Sequence, residues 1–147
     1  MNDWVAICEL KARYCRLLET KDWDACGLFT EDFVSDTSEA AGKFIEGADK
    51  FVAFVRGRLG KSSQVTAHQV HNPEIELTSA TTATGIWALE DVVRINMLIN
   101  VNGRGHYHET YEKIDGRWYI KSSKLTRLRE DIFNGLFSLF INRRGKR

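Results

Sequence analysis

The stretch GIWALEDVVRINMLINV, Gly85–Val101, alternates with a period of two. Trp87, Leu89, Asp91, Val93, Ile95, Met97, Ile99 and Val101 share one parity, while Glu90, Arg94, Asn96 and Asn100 take the other. This pattern reads as a strand with one buried and one solvated face. Asp91 is the exception on the apolar side. An isolated buried carboxylate is costly, so it must find a partner or protonate.

Working outward, the same period recurs downstream. Strands are predicted over 65–77, 82–101, 104–114 and 117–127, joined by hairpins at TSATT, NGRG and DG. Upstream the spacing is helical. Trp4, Ile7, Leu10, Tyr14, Leu17 and Leu18 form one stripe, with Asn2 or Asp3 as cap. A short helix is expected over 22–29, and DFVSDTS and GKFIEG read as short strands around a turn. ADKFVAFVRGRLG places Phe51, Val52, Val55 and Leu59 on one side of a helix that Gly60 can end. DIFNGLFSLFINRR predicts a C-terminal amphipathic helix carrying Phe133, Leu136, Phe137 and Phe140, with Arg143 and Arg144 suiting its dipole. The fold class is therefore α+β: helices packed on one face of a curved antiparallel sheet, an arrangement that can leave an apolar-lined pocket between the layers or have it filled by side chains.

The chain has 147 residues and a formal net charge of +1. One domain spanning 1–147 is expected. The balance gives no electrostatic drive toward nucleic acid or an anionic membrane, and the basic run 143–147 reads as a solvated tail. No apolar run reaches the ~18 residues needed for a bilayer span. The charged N-terminus is not a signal peptide, so a cytoplasmic protein is expected. Cys8, Cys15 and Cys26 lack a CxxC spacing and read as free thiols. His106 and His108 share a strand face but have no further ligands at metal-binding spacing. Nucleotide and phosphate-loop motifs are absent, and Gly103–Gly105 reads as a hairpin turn. No metal or other cofactor is implied.

The remaining polar exceptions are candidate site residues. Asp91 is either half of an ion pair with an arginine on a neighbouring strand or subunit, or the orienting partner of a base. A register slip that turns it outward is the third option. His68, on the preceding strand, is the natural base, because imidazole titrates near neutral pH. His71 has the opposite parity. Tyr14 is either core or a phenol donor pointing into a pocket. Glu19 and Asp22 follow near the end of the first helix, and Arg127 near the end of the last predicted strand.

These residues resemble the SnoaL-like group of the nuclear-transport-factor-2-like superfamily across nearly the whole chain. LKARYCRLLETKDWDACGLFTEDF resembles the group's first helix and following turn. HQVHNPEIELTSATTATGIWALED and YEKIDGRWYIKSSKLTRLRED are most similar to bacterial bile-acid 7α-dehydratases. Scytalone dehydratase and hexachlorocyclohexane dehydrochlorinase are more distant relatives. The resemblance implies a cone-shaped fold around a deep apolar cavity. It implies a site of Tyr14, Glu19, His68, Asp91 and Arg127, with glutamate standing at position 19 where the dehydratases carry aspartate. The dehydrochlorinase pattern places the histidine's carboxylate partner on Asp22 instead. His68 thus has two candidate partners, Asp91 and Asp22. The implied activity is a cofactor-independent dehydratase, eliminase or isomerase acting on a small hydrophobic ring compound, steroid- or polyketide-like. The alternatives are a non-catalytic ligand-binding or assembly domain, including a ring-hydroxylating dioxygenase small subunit. A homo-oligomer, dimer or trimer, is expected.

Overall fold

The computed structural model describes residues 2–96 and 98–134. Helix α1 (Asp3–Thr20) opens on Asn2, whose side-chain oxygen accepts from the Trp4 N–H at 2.9 Å. It ends where Lys21 turns into the left-handed region (φ 57°). A 3₁₀ segment (Trp23–Leu28) replaces the short helix expected over 22–29, and Phe29 already begins strand β1 (Phe29–Asp36). A second 3₁₀ turn (Ser38–Ala40), strand β2 (Phe44–Glu46) and helix α2 (Ala48–Leu59) follow. Strands β3 (Thr66–Leu77), β4 (Thr82–Arg94), β5 (Ile99–Ile114) and β6 (Arg117–Asn134) form the long meander. The six strands make one curved open sheet in the order β2-β1-β6-β5-β4-β3.

Four expectations need correction. The sheet is not wholly antiparallel, because β1 runs parallel to β6. The strand predicted over 82–101 is two strands. The chain reverses after Arg94, where the Asn96 carboxamide accepts from the Leu98 and Ile99 N–H groups at 2.8 and 3.0 Å. Apolar residues continue to alternate through this turn, and that hid it. NGRG is consequently no hairpin: Gly103 and Gly105 lie inside β5, opposite Asp91 and Leu89. Finally, Asp131–Asn134 continue β6 instead of opening a C-terminal helix. Cross-strand pairing of Val101 with Ile132 and of Asn100 with Phe133 decides a segment that fits either period. The rest of that predicted helix lies outside the described residues.

The concave face of the sheet carries the core. Trp87, Leu89, Tyr107, Tyr111, Trp118, Ile120 and Leu125 pack with Ile7, Leu10 and Leu17 of α1, Phe51 and Val52 of α2, and Phe29 and Phe33 of β1. Each buried aliphatic or aromatic side chain contributes about 1.5–3 kcal/mol. The predicted parity holds along β4 as far as it was decisive: Ala83, Trp87, Leu89 and Asp91 are all buried. No helix among the described residues is long and apolar enough to cross a membrane.

Candidate functional site

Where the helices stand off the sheet, a cavity of about 240 Å³ remains. Phe51, Phe54, Val55 and Leu59 of α2 and Leu18 of α1 supply apolar wall, and the turn Thr37–Gly42 closes one side. His68, Asp91, Arg127, Tyr14 and Tyr107 supply the polar part. Each is placed by its element. Tyr14 faces inward on the α1 stripe, its ring edge-on to Tyr107 at 6.3 Å. His68 and Asp91 are direct partners across β3 and β4. Facing residues of an antiparallel pair have Cβ atoms ~4.5–5.5 Å apart on one face, so imidazole and carboxylate share the cavity side.

Asp91 is 4% exposed, and its partner is Arg127. The guanidinium donates from Nη1 to Oδ1 and from Nη2 to Oδ2, the second at 3.0 Å. This two-pronged geometry is the strong form of a carboxylate–guanidinium pair. It spans two strand intervals, since β5 lies between. Gly103 makes the reach possible: a Cβ there would overlap both Arg127 Nη1 and Asp91 Oδ1. The backbone N–H of Arg127 also donates to Glu39 at 3.0 Å, which ties β6 to the closing turn. Burial opposes the charge on Arg127, but hydrogen bonding and the nearby Asp91 charge outweigh it and raise its pKa.

Burial pulls the His68 pKa below its ordinary value, more strongly than the Asp91 and Glu19 charges raise it; Lys11 and Arg127 add to the lowering. The ring is therefore neutral near pH 7. Its Nδ1 is shut away from solvent and has no partner among the described residues, and the same holds for Arg127 Nε. Glu19 accepts from the His68 backbone N–H at 2.5 Å. Burial raises the Tyr14 and Tyr107 pKa values well above the phenol range, so both remain hydroxyl donors.

The structure thus brings Tyr14, Glu19, His68, Asp91 and Arg127 together. Asp22 makes no hydrogen bond to His68 among the described residues: its carboxylate accepts from the Asp24 N–H of its own turn and lines a narrow crevice beside α1 whose wall shares Tyr14, Leu18, Phe51 and Val55 with the main cavity. His108 bonds Thr126, and both His106 and His108 lie on the opposite parity of β5 from Tyr107. Sequence reading missed Tyr107 and Gly103. Tyr107 carried a signal, for it shares strand parity with a second large aromatic, Tyr111, while His106, His108, Thr110 and Glu112 take the other face. Gly103 had none until the turn at 95–98 was correctly placed.

A curved sheet and two helices around an apolar cavity with a few convergent polar groups form the frame of a small-molecule pocket. The chain belongs to the SnoaL-like domain family, which it matches over residues 1–124. Its fold is the nuclear-transport-factor-2-like fold. It is similar to a protein of Novosphingobium aromaticivorans provisionally described as a scytalone dehydratase (TM-score 0.79, 23% identity, 88% of this chain and 86% of that one). A type-3 LinA hexachlorocyclohexane dehydrochlorinase of Novosphingobium barchaimii superposes with a TM-score of 0.76 at 15% identity, covering 89% and 90%. A Novosphingobium aromaticivorans protein provisionally described as an aromatic ring hydroxylase gives 0.79 at 20% identity, covering 90% and 93%. At these identities the likeness is one of fold.

Proposed function

We propose that this protein is a cofactor-independent lyase or isomerase that acts on a compact hydrophobic ring compound by general acid–base catalysis. The carrying observation is His68: an imidazole kept neutral by burial, on a cavity wall, directly across the ladder from an acid. A neutral imidazole near pH 7 is the competent form of a base.

In an elimination, His68 takes a proton from substrate carbon. The freed electron pair forms the double bond as the bond to the leaving oxygen breaks. Tyr14 serves as hydrogen-bond donor to that oxygen and not as proton source, because its phenolate is disfavoured by burial. The proton held by His68 then goes to the departing oxygen, completing water. Asp91 stabilises the transient imidazolium. Arg127, with both outer nitrogens committed to Asp91, tempers that pull so that the ring does not stay charged. Glu19 anchors the His68 backbone.

The volume narrows the substrate. A cavity of about 150 Å³ holds benzene, so about 240 Å³ suits one or two fused rings with substituents. A steroid-sized ring system would extend through the mouth. The scytalone dehydratase and dehydrochlorinase likenesses support elimination as the reaction class. Exposed Leu128 and Ile132 on β6 support association between copies of the chain.

One observation favours a second reading. Asp91 and Arg127 saturate each other as a structural pair does, which also suits a non-catalytic binder of the same ligand class. His68→Ala and Tyr14→Phe, assayed on a panel of hydroxylated one- and two-ring ketones, separate the two. Turnover should fall at least ~100-fold for His68→Ala. Unchanged turnover in both variants rules out the assignment, and binding without turnover in the unaltered protein establishes the second reading.

A further inference from the structure

Lys11 is fully buried, with 0% exposure, on the inward face of α1. Its ammonium meets Glu109 of β5 at 2.6 Å. Glu109 also accepts from Ser123 Oγ at 3.0 Å and from the Tyr111 hydroxyl, which in turn accepts from Trp87 Nε1 at 2.8 Å. The carboxylate is thereby held by three donors from three elements and is not free to move. The ammonium also lies 3.6 Å from the centre of the Tyr107 ring and 4.6 Å from that of Tyr14. Both rings line the cavity, while Lys11 does not. A fixed cation therefore sits immediately behind the aromatic wall of the pocket.

Core stability alone is a weak explanation for such a pair. Desolvating two charges commonly costs as much as their attraction returns, and apolar replacements are often at least as stable. The placement is more telling. A cation on the face of an aromatic ring is attracted by its quadrupole, most strongly when dry. It fixes the position of both rings, and it polarises phenols whose hydroxyls belong to the site. Its charge also reaches His68, opposing protonation in the same sense as burial.

We infer that Lys11 is a positioning residue of the pocket: locked by Glu109, its ammonium holds Tyr14 and Tyr107 as the cavity wall and acts as the fixed positive charge behind it. The inference rests on the cavity being the functional site. Its test does not depend on turnover. Lys11→Met/Glu109→Gln removes both charges together, so neither is left buried and unpaired. In the full chain, the His68 imidazole is titrated by NMR, where Glu19, Asp91 and Arg127 remain as the other charges acting on it. Tyrosines are labelled as 3-fluorotyrosine, and 2-naphthol serves as the cavity probe.

The His68 midpoint should move up. The Tyr14 and Tyr107 fluorine resonances should shift and broaden while Tyr119 stays. 2-Naphthol should bind more weakly, because the two rings that wall its cavity are no longer held in place. A folded double variant with the original His68 midpoint and unchanged Tyr14 and Tyr107 resonances overturns the inference. If the double variant does not fold, Glu109→Gln decides, since it loosens the ammonium without removing it. Unchanged tyrosine resonances there also overturn the inference. A protein that turns over no substrate yet shows these shifts loses the proposed reaction and keeps the role of Lys11.

Discussion

Lys11–Glu109 and Asp91–Arg127 are both ion pairs on the concave face of the sheet, and each joins residues distant in sequence. Their surroundings differ. Glu109 collects donors from Lys11, Ser123 and Tyr111, so the pair is enclosed by its own hydrogen bonds. Among the described residues, Asp91 is bonded only by Arg127. Beside that pair, Arg127 Nε and His68 Nδ1 remain without partners among the described residues. The Arg127 side chain is also 13% exposed, against 0% for Lys11. A closed polar network specifies a core, whereas an incomplete one beside a cavity is where a ligand or a proton has something to gain. The first pair stands behind the pocket wall with its hydrogen bonds complete, while the second faces the cavity with polar atoms beside it still unpartnered among the described residues.

The largest expected effect tests the closed pair. Lys11→Met alone strands Glu109 in the core and should cost about 3–5 kcal/mol in urea unfolding. Adding Glu109→Gln should recover more than half of that. Arg127→Met leaves Asp91 facing a cavity that water can fill, and should cost less, about 1.5–3 kcal/mol. Equal losses at the two sites would erase the distinction between them.

A smaller effect isolates the open pair. Gly103→Ala places a methyl group where Arg127 and Asp91 meet. Overpacking of this kind costs about 1–3 kcal/mol. The damage should stay local. NMR should show the Arg127 Nη protons losing protection, while the Tyr111 hydroxyl and Trp87 indole N–H keep theirs. Loss of protection at Tyr111 as well would mean that the two pairs are one cooperative unit.

These two regions also explain what could be read from the amino acids. Asp91 was legible because one wrong-polarity residue in an alternating strand is visible without coordinates. His68 was legible from its place on the preceding strand, Tyr14 from the inward stripe of the first helix, and Glu19 and Arg127 from their places near element ends, while the resemblance drew these residues into one site. Glu109 and Lys11 were not legible. Lysine in an amphipathic helix and glutamate in HYHETYEK look like ordinary solvated charges, and only the packing of α1 on β5 buries both. Asp22 came forward as a partner of His68 through the resemblance alone; that its carboxylate accepts from the Asp24 N–H of its own turn is something spacing along a helix does not show. The turn after Arg94 was hidden because its residues are as apolar as the strands they connect. Displacing that turn displaced Gly103, and the role of Gly103 depends on register alone.

The smallest effect is a pH dependence, and its sign decides what the open pair does to His68. An unperturbed imidazole titrates near ~6.5, its value in the unfolded chain. Burial lowers the folded value despite Asp91. As pH falls from ~6.5 toward the folded midpoint, the unfolded chain takes up a proton that the folded chain refuses, so stability drops. The slope can reach at most ~1.4 kcal/mol per pH unit, and above ~6.5 the contribution is flat. His68→Gln should remove this part of the curve, so wild type minus variant gives the His68 contribution directly. A difference that rises as pH falls would mean that the folded chain holds the imidazolium. Asp91 would then be the charge that His68 answers to, with Arg127 failing to offset it, and a resting imidazolium cannot act as the base.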